Sequence, residues 1–204
     1  MNQPHRRQWG FTLIELMVAL AVLAIFAVIA TPSFLGLRQR AGLRGASDQV
    51  LGFWNQVRFE AVKRNLTVDV SVTTGANFCL GATTISGTNT TPCDCTLDST
   101  HTAEDAYCKV AHFPEVGGQG QWGNVTLASG STLGPAGTIE VAIEPKRGML
   151  TVPADAGSIS LAGPPGQYAY KMNINIDRLG RGRLCESSSA TNKLPDFTDR
   201  RCSP

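Results

Sequence analysis

The sequence predicts an α+β fold: a long N-terminal helix, membrane-spanning in its first part, packed on a disulfide-bonded antiparallel β-sheet head. Three observations carry this. An apolar run from Phe11 to Ala30, broken only by Thr12 and Glu15, is followed by an amphipathic stripe of helical period. From residue 66 the chain changes to short alternating runs separated by glycine and proline turns. Six cysteines bracket polar loops in that second part.

A chain of 204 residues holds one ordinary domain and an appendage, not two large domains. Its 42% hydrophobic and 17% charged residues suit a folded protein, and 21 glycines with 11 prolines imply many turns. The formal charge of +2 conceals an asymmetry: residues 1–70 carry a net +4, residues 71–170 a net −5 and residues 171–204 a net +3. A basic tail on an acidic middle favours a polyanionic partner.

At about 1.5 Å per residue, the twenty residues from Phe11 reach about 30 Å, the thickness of a bilayer's hydrocarbon core. A cleaved secretory signal is the alternative, since Arg6 and Arg7 precede the run and small residues surround Val28 and Ala30. Glu15 tells against it. A carboxylate inside an apolar helix costs about 2.5–3.5 kcal/mol, so it requires a partner and a purpose. Arg38, Arg40 and Arg44 outnumber Arg6 and Arg7, so flanking charge alone does not set the N-terminus in the cytoplasm. Pro32 should bend or loosen the helix, and Gly36, Gly42, Gly45 and Gly52 weaken it, yet Val50, Phe53, Trp54, Val57 and Ala61 resume a helical stripe that can dock on a sheet. Arg58, Lys63 and Arg64 fall on other faces or at the end.

Strands are expected at 66–72, 108–113, 124–128, 138–143, 149–152, 158–161 and 168–176, followed by a return strand "GRLCE". Residues 75–106 form a Thr/Ser/Gly-rich insertion too polar for core, with one short strand around Phe78 to Leu80. Gly118-Gln119-Gly120-Gln121-Trp122-Gly123 fits a dinucleotide fingerprint by spacing, but a strand-like run and not a helix follows it, so it reads as a loop. Glu104 and Asp105 have no histidine or nucleophile arranged around them. Nothing argues for catalysis or for a cofactor.

Cys79, Cys93, Cys95 and Cys108 bracket the insertion, and Cys185 and Cys202 bracket the tail. An even count around loops outside the cytoplasm reads as disulfides. Cys93 and Cys95 are poorly placed to bond each other, so each is expected to pair with Cys79 or Cys108, in an order the spacing leaves open. A Cys185–Cys202 bridge would contribute about 3 kcal/mol by the chain-entropy model. The rival, a metal held by Cys93 and Cys95 with His101 or His112, lacks the two-residue ligand gap usual for zinc.

"DRLGRGRLC" (177–185) crowds Arg178, Arg181 and Arg183 around a turn in which Gly180 and Gly182 permit tight or left-handed backbone. Arg181 and Arg183, two apart on a strand, share a face, and Arg178 joins them across the turn. Guanidinium groups hold phosphate oxygens bidentately at any relevant pH. Lys171, Lys193, Arg200 and Arg201 would widen the patch. Three phosphate contacts predict weak, sequence-independent binding whose log K falls by about 2.7 per decade of salt on duplex DNA. The alternative is a solvated basic turn.

Gly10-Phe11-Thr12-Leu13-Ile14-Glu15, after a short basic leader and before an unbroken apolar helix, resembles the processing signal of type IV pilins and type II secretion pseudopilins. The resemblance implies cleavage between Gly10 and Phe11 by a prepilin peptidase, methylation of Phe11, and pairing of Glu15 with a neighbouring subunit's N-terminal amine in a filament core. It implies a leader at 1–10, a transmembrane or filament-core helix at 11–31, its amphipathic continuation at 32–65 and a periplasmic or extracellular head at 66–204. "IEPKRGMLTV", "SISL" and "YKMNINIDRLGRGRLC" further resemble the C-terminal half of the GspH/FimT family. In its FimT-type minor pilins a Gly-Arg-x-Arg element binds DNA during natural transformation, which Gly180 to Arg183 match; GspH-type members are architectural pseudopilins. The expectation is a non-enzymatic minor pilin, made in the inner membrane with its N-terminus cytoplasmic and then carried into an extracellular pilus. Its partners would be other pilins, the peptidase and DNA, with no metal or cofactor.

Overall fold

The computed structural model describes residues 11–85, 92–97, 99–103, 106–114, 125–128, 131–135, 139–165, 169–191 and 194, with the side chains of 29–33 excepted. It has two compact units, Met1–Arg38 and Gln39–Pro204. One helix, α1 (Leu13–Arg64), belongs to both.

Thr12 caps the start of α1. Its Oγ1 accepts the amide N–H of Glu15 at 3.3 Å, which places the Glu15 carboxylate in the first turn, where the positive end of the helix favours an anion. The helix assignment continues through Pro32, where the sequence suggested loosening. Among the described residues no helix is long and apolar enough to cross a membrane. The described side chains of the apolar run stop at Val28, all of them exposed, while the run itself extends to Ala30. Asn65 ends α1 in the left-handed region with φ 53°. Its N–H donates to Val62 and that of Leu66 to Ala61, a paired closure that satisfies two terminal carbonyls.

In the second unit α1 lays Leu43, Ala46, Val50, Phe53, Trp54, Val57 and Ala61 into the core. Two four-stranded sheets, antiparallel throughout, supply the rest. The first has β1 (Val68–Thr73), β2 (Cys79–Thr84), β3 (Ala111–Phe113) and β5 (Glu140–Ile143) in the order β3-β2-β1-β5. The second has β4 (Thr126–Leu127), β6 (Gly157–Ala162), β7 (Lys171–Ile176) and β8 (Gly182–Glu186) in the order β4-β6-β7-β8. Gly75 and Leu127 exchange backbone hydrogen bonds of 2.9 and 3.0 Å and link the two sheets. Along β7 the buried Met172, Ile174 and Ile176 alternate with Lys171, Asn173 and Asn175, so one face joins the core and the other is polar.

Two strand expectations change. The 75–106 insertion contributes β2, a central strand with five buried residues, where only a short strand was expected in a segment too polar for core. The reason is covalent. Cys79 bonds Cys95 and Cys93 bonds Cys108, forming a buried sulfur cluster against Gly81, where a Cβ would collide with the sulfurs of Cys108 and Cys93. Ser71 Oγ donates to the Cys93 carbonyl at 2.6 Å and ties that cluster to β1. By loop entropy each bridge contributes about 3 kcal/mol, so the disulfides supply what the polar residues cannot. Residues 149–152, expected as a strand, make only a single bridge from Leu150 to Ile143.

Candidate functional site

The arginines of 177–185 stand where β7 turns into β8. The turn closes on itself: the Gly180 N–H donates to the Asp177 carbonyl at 2.8 Å, and the Asp177 N–H donates to the Arg181 carbonyl at 3.1 Å. The Asp177 carboxylate fastens the other side. Its Oδ1 accepts the Arg181 backbone N–H and its Oδ2 the Arg181 Nε–H, both at 2.8 Å. Burial alone would raise the Asp177 pKa, but the Arg181 N–H and guanidinium outweigh it and hold the carboxyl below its ordinary range.

The turn is seated on α1. Trp54 Nε1 donates to the Gly180 carbonyl at 2.7 Å in a buried contact. Arg58 Nε donates to the Gly148 carbonyl at 2.8 Å, and its Nη2 lies 3.4 Å from the Leu179 carbonyl. Gly180 has φ +71°, and a Cβ there would come within 2.7 Å of the Gly148 carbonyl oxygen. Gly182 differs from the expectation of a turn-forming glycine: its φ is not positive, and its value is closeness, because a Cβ would meet Leu51 Cδ1 at 2.5 Å and Trp54 Cδ1 at 3.4 Å. The Gly-Arg-Gly-Arg spacing therefore has a packing cause.

Arg178, Arg181 and Arg183 are all exposed. Arg181 is held by Asp177, whereas among the described residues the side chains of Arg178 and Arg183 have no ion-pair or hydrogen-bond partner. Arg183 stands opposite Asn175 in the β7–β8 register. Lys171 is not brought to the cluster. It begins β7, opposite Ala162, at the far end of a six-residue strand that spans about 17 Å, so it does not widen the patch at the turn. Lys193, Arg200, Arg201 and Cys202 lie outside the described residues, as do Gly10, the glycines of 118–123 and Glu104-Asp105. Cys185 is disulfide-bonded.

Both cysteines of the weighed metal site are consumed by bridges to other cysteines. Among the described residues no group of histidines, cysteines and carboxylates could hold a metal ion.

The sequence reading missed Trp54 and Arg58 as parts of this site. A signal existed: a buried indole needs an acceptor for its N–H, and Arg58, one turn further along α1, borders the same stripe. What no periodicity reveals is that both acceptors come from turns some 90 and 126 positions away.

Residues 5–31, including Gly10, Phe11 and Glu15, match the family model described as the prokaryotic N-terminal methylation motif. No curated protein and no solved structure matches the chain. The motif makes the chain type IV prepilin-like and implies a membrane-anchored precursor, action by a prepilin peptidase and a place in a pilus-type filament. Subunits of this kind are structural.

Proposed function

We propose that this prepilin-like chain is a FimT-type minor pilin of the GspH/FimT family. It is processed between Gly10 and Phe11, anchored by a single N-in span and then incorporated into a pilus with Glu15 pairing a neighbour's amine. Its head binds extracellular DNA through Arg178, Arg181 and Arg183 and so supports DNA uptake in natural transformation. The single observation that carries the DNA reading is the seating of the 177–181 turn on Trp54 and Arg58, which fixes the backbone beside which three exposed arginines stand within six positions at one end of the β7–β8 hairpin. A turn whose backbone is already fixed loses less entropy on meeting a polyphosphate than a mobile loop would. Arg178 and Arg183 offer their whole forks, and Arg181, engaged through Nε, keeps its terminal amino groups for a phosphate.

A second reading has its own observation. Gly180 and Gly182 are explained by packing, and Arg181 by Asp177, so the motif would also suit an architectural minor pilin or GspH-like pseudopilin that initiates assembly without DNA.

A gel shift on the head, residues 39–204, across a salt series separates the two. The DNA reading expects wild-type binding with log K falling by about 2.7 per decade of salt, and its loss in Arg181→Gln/Arg183→Gln. Unchanged binding by the double variant refutes the clamp, and absence of binding by wild type leaves the architectural reading. In cells, the clamp requires that the double variant lose transformation while pili still form.

A further inference from the structure

The outer face of the second sheet carries a polar groove that runs up to the arginine turn. We propose that this groove takes the unstacked bases of a single DNA strand, with Asn173 and Asn175 hydrogen-bonding base edges while Arg178 and Arg183 hold the phosphates. The inference rests on the DNA reading above and names the form of DNA that the site selects.

The groove has a volume of about 890 Å³ and is lined by Ser158, Asn173, Asn175, Arg178, Ser188 and the Asp177 carboxylate that Arg181 neutralises, among others, with Arg183 beside it opposite Asn175. That is the size of a small-ligand site, with room for more than one base. Strand register arranges the face in rows. Ser158, Asn175 and Arg183 stand directly opposite one another across β6, β7 and β8, and Ser160, Asn173 and Cys185 form the row beside them. Each outward residue alternates with a buried aliphatic one on β6 and β7, Ile159, Leu161, Met172, Ile174 or Ile176, so the polar row is fixed by the core behind it.

Two features ask for a ligand with planar donor and acceptor edges. Asn173 Oδ1 is buried without a hydrogen-bond partner, an acceptor to which an exocyclic base amine can donate. Among the described residues the Asn175 amide has no partner either, and its oxygen and amino group present the side-by-side pair that matches a base edge. The two amides are two residues apart on one strand, about 7 Å. Stacked bases repeat at about 3.4 Å, so each amide addresses a separate base, and the Watson–Crick edges that an amide can pair with are free only in a single strand. Among the described residues the groove is lined by polar and aliphatic side chains, so the recognition proposed is by hydrogen bonding. An acidic polysaccharide would also satisfy the arginines, but its hydroxyls diverge from the ring and do not present coplanar pairs.

The test uses the full chain in detergent with three fluorescent probes: a short oligo-adenine single strand, the corresponding adenine–thymine duplex, and heparin. The expected result is about tenfold tighter binding of the single strand than of the duplex. Asn173→Ala/Asn175→Ala should abolish that preference and leave duplex binding, which belongs to the arginines, in place. Arg178→Gln/Arg183→Gln should weaken both. Thermal melts confirm folding, and Asn175→Asp, which keeps the shape and adds a like charge beside the phosphates, should also lose the preference. Equal binding of single strand and duplex by wild type, or an unchanged preference in the asparagine variants, overturns the groove and leaves the arginine clamp standing. Asparagine variants that lose heparin and not the oligonucleotide overturn it in favour of a polysaccharide. No DNA binding of either form overturns groove and clamp together.

Discussion

The indole Nε1–H of Trp54 on α1 donates to the carbonyl of Gly180 in the β7–β8 turn at 2.7 Å, buried from solvent. This bond makes the arginine turn part of the helix-backed core instead of a free hairpin tip. Trp54→Phe keeps most of the ring's packing but leaves the Gly180 carbonyl buried without a donor. It should destabilise the head by about 1–3 kcal/mol, read as a lower urea midpoint with an unchanged slope.

The two glycines of the turn should respond unequally to alanine. Gly180 needs its left-handed backbone, and its added Cβ would strike the Gly148 backbone carbonyl, which cannot step aside. Gly182→Ala meets first the tip of the Leu51 side chain, which can rotate. Gly180→Ala should therefore cost about 2–3 kcal/mol and Gly182→Ala about 1 kcal/mol, measured by the same denaturation. An equal cost, or a larger one at Gly182, would show that the tight contact with α1 outweighs the dihedral.

A carboxylate on the first sheet gives the head an unusual pH dependence. Asp69 on β1 is pushed up from 3.8 to about 6, by burial and then by the Glu140 charge. A raised carboxyl favours the folded state while protonated. Its contribution is full below pH 3.8 and is lost as pH rises through about 6. Asp69→Asn should stabilise the head by about 1 kcal/mol at pH 7, a figure reduced for the carboxyl's partial exposure, and change little at pH 4. Melting temperatures at the two pH values check the sign.

Much of this architecture was written locally. The Val50 to Ala61 stripe, the alternation along β7 and the even cysteine count each express one period or one parity, and each is legible in the amino-acid sequence alone. The methylation signal at Gly10 to Glu15 is a contiguous motif and equally legible. What stayed hidden was set by distant partners. β2 is central because disulfides cover Gly81, Gly182 is a glycine because Leu51 lies against it, and the asparagines of β7 gain meaning only when register lines them up with Arg183. Composition called the insertion polar and could not show that sulfur would bury it.

Asp177 offers the sharpest separation between a phosphate clamp and a structural turn. Its carboxylate accepts both the backbone N–H and the Nε–H of Arg181. Asp177→Asn keeps an oxygen for the backbone bond, removes the negative charge beside the cluster and frees the guanidinium. If the arginines meet phosphates, the variant should bind DNA several-fold more tightly at each salt concentration, at a stability cost below about 1 kcal/mol for an exposed pair. If Arg181 serves only to brace the turn, the same substitution should lower stability without any gain in DNA affinity. Parallel titrations with a duplex oligonucleotide at two salt concentrations, alongside a thermal melt, decide between these outcomes.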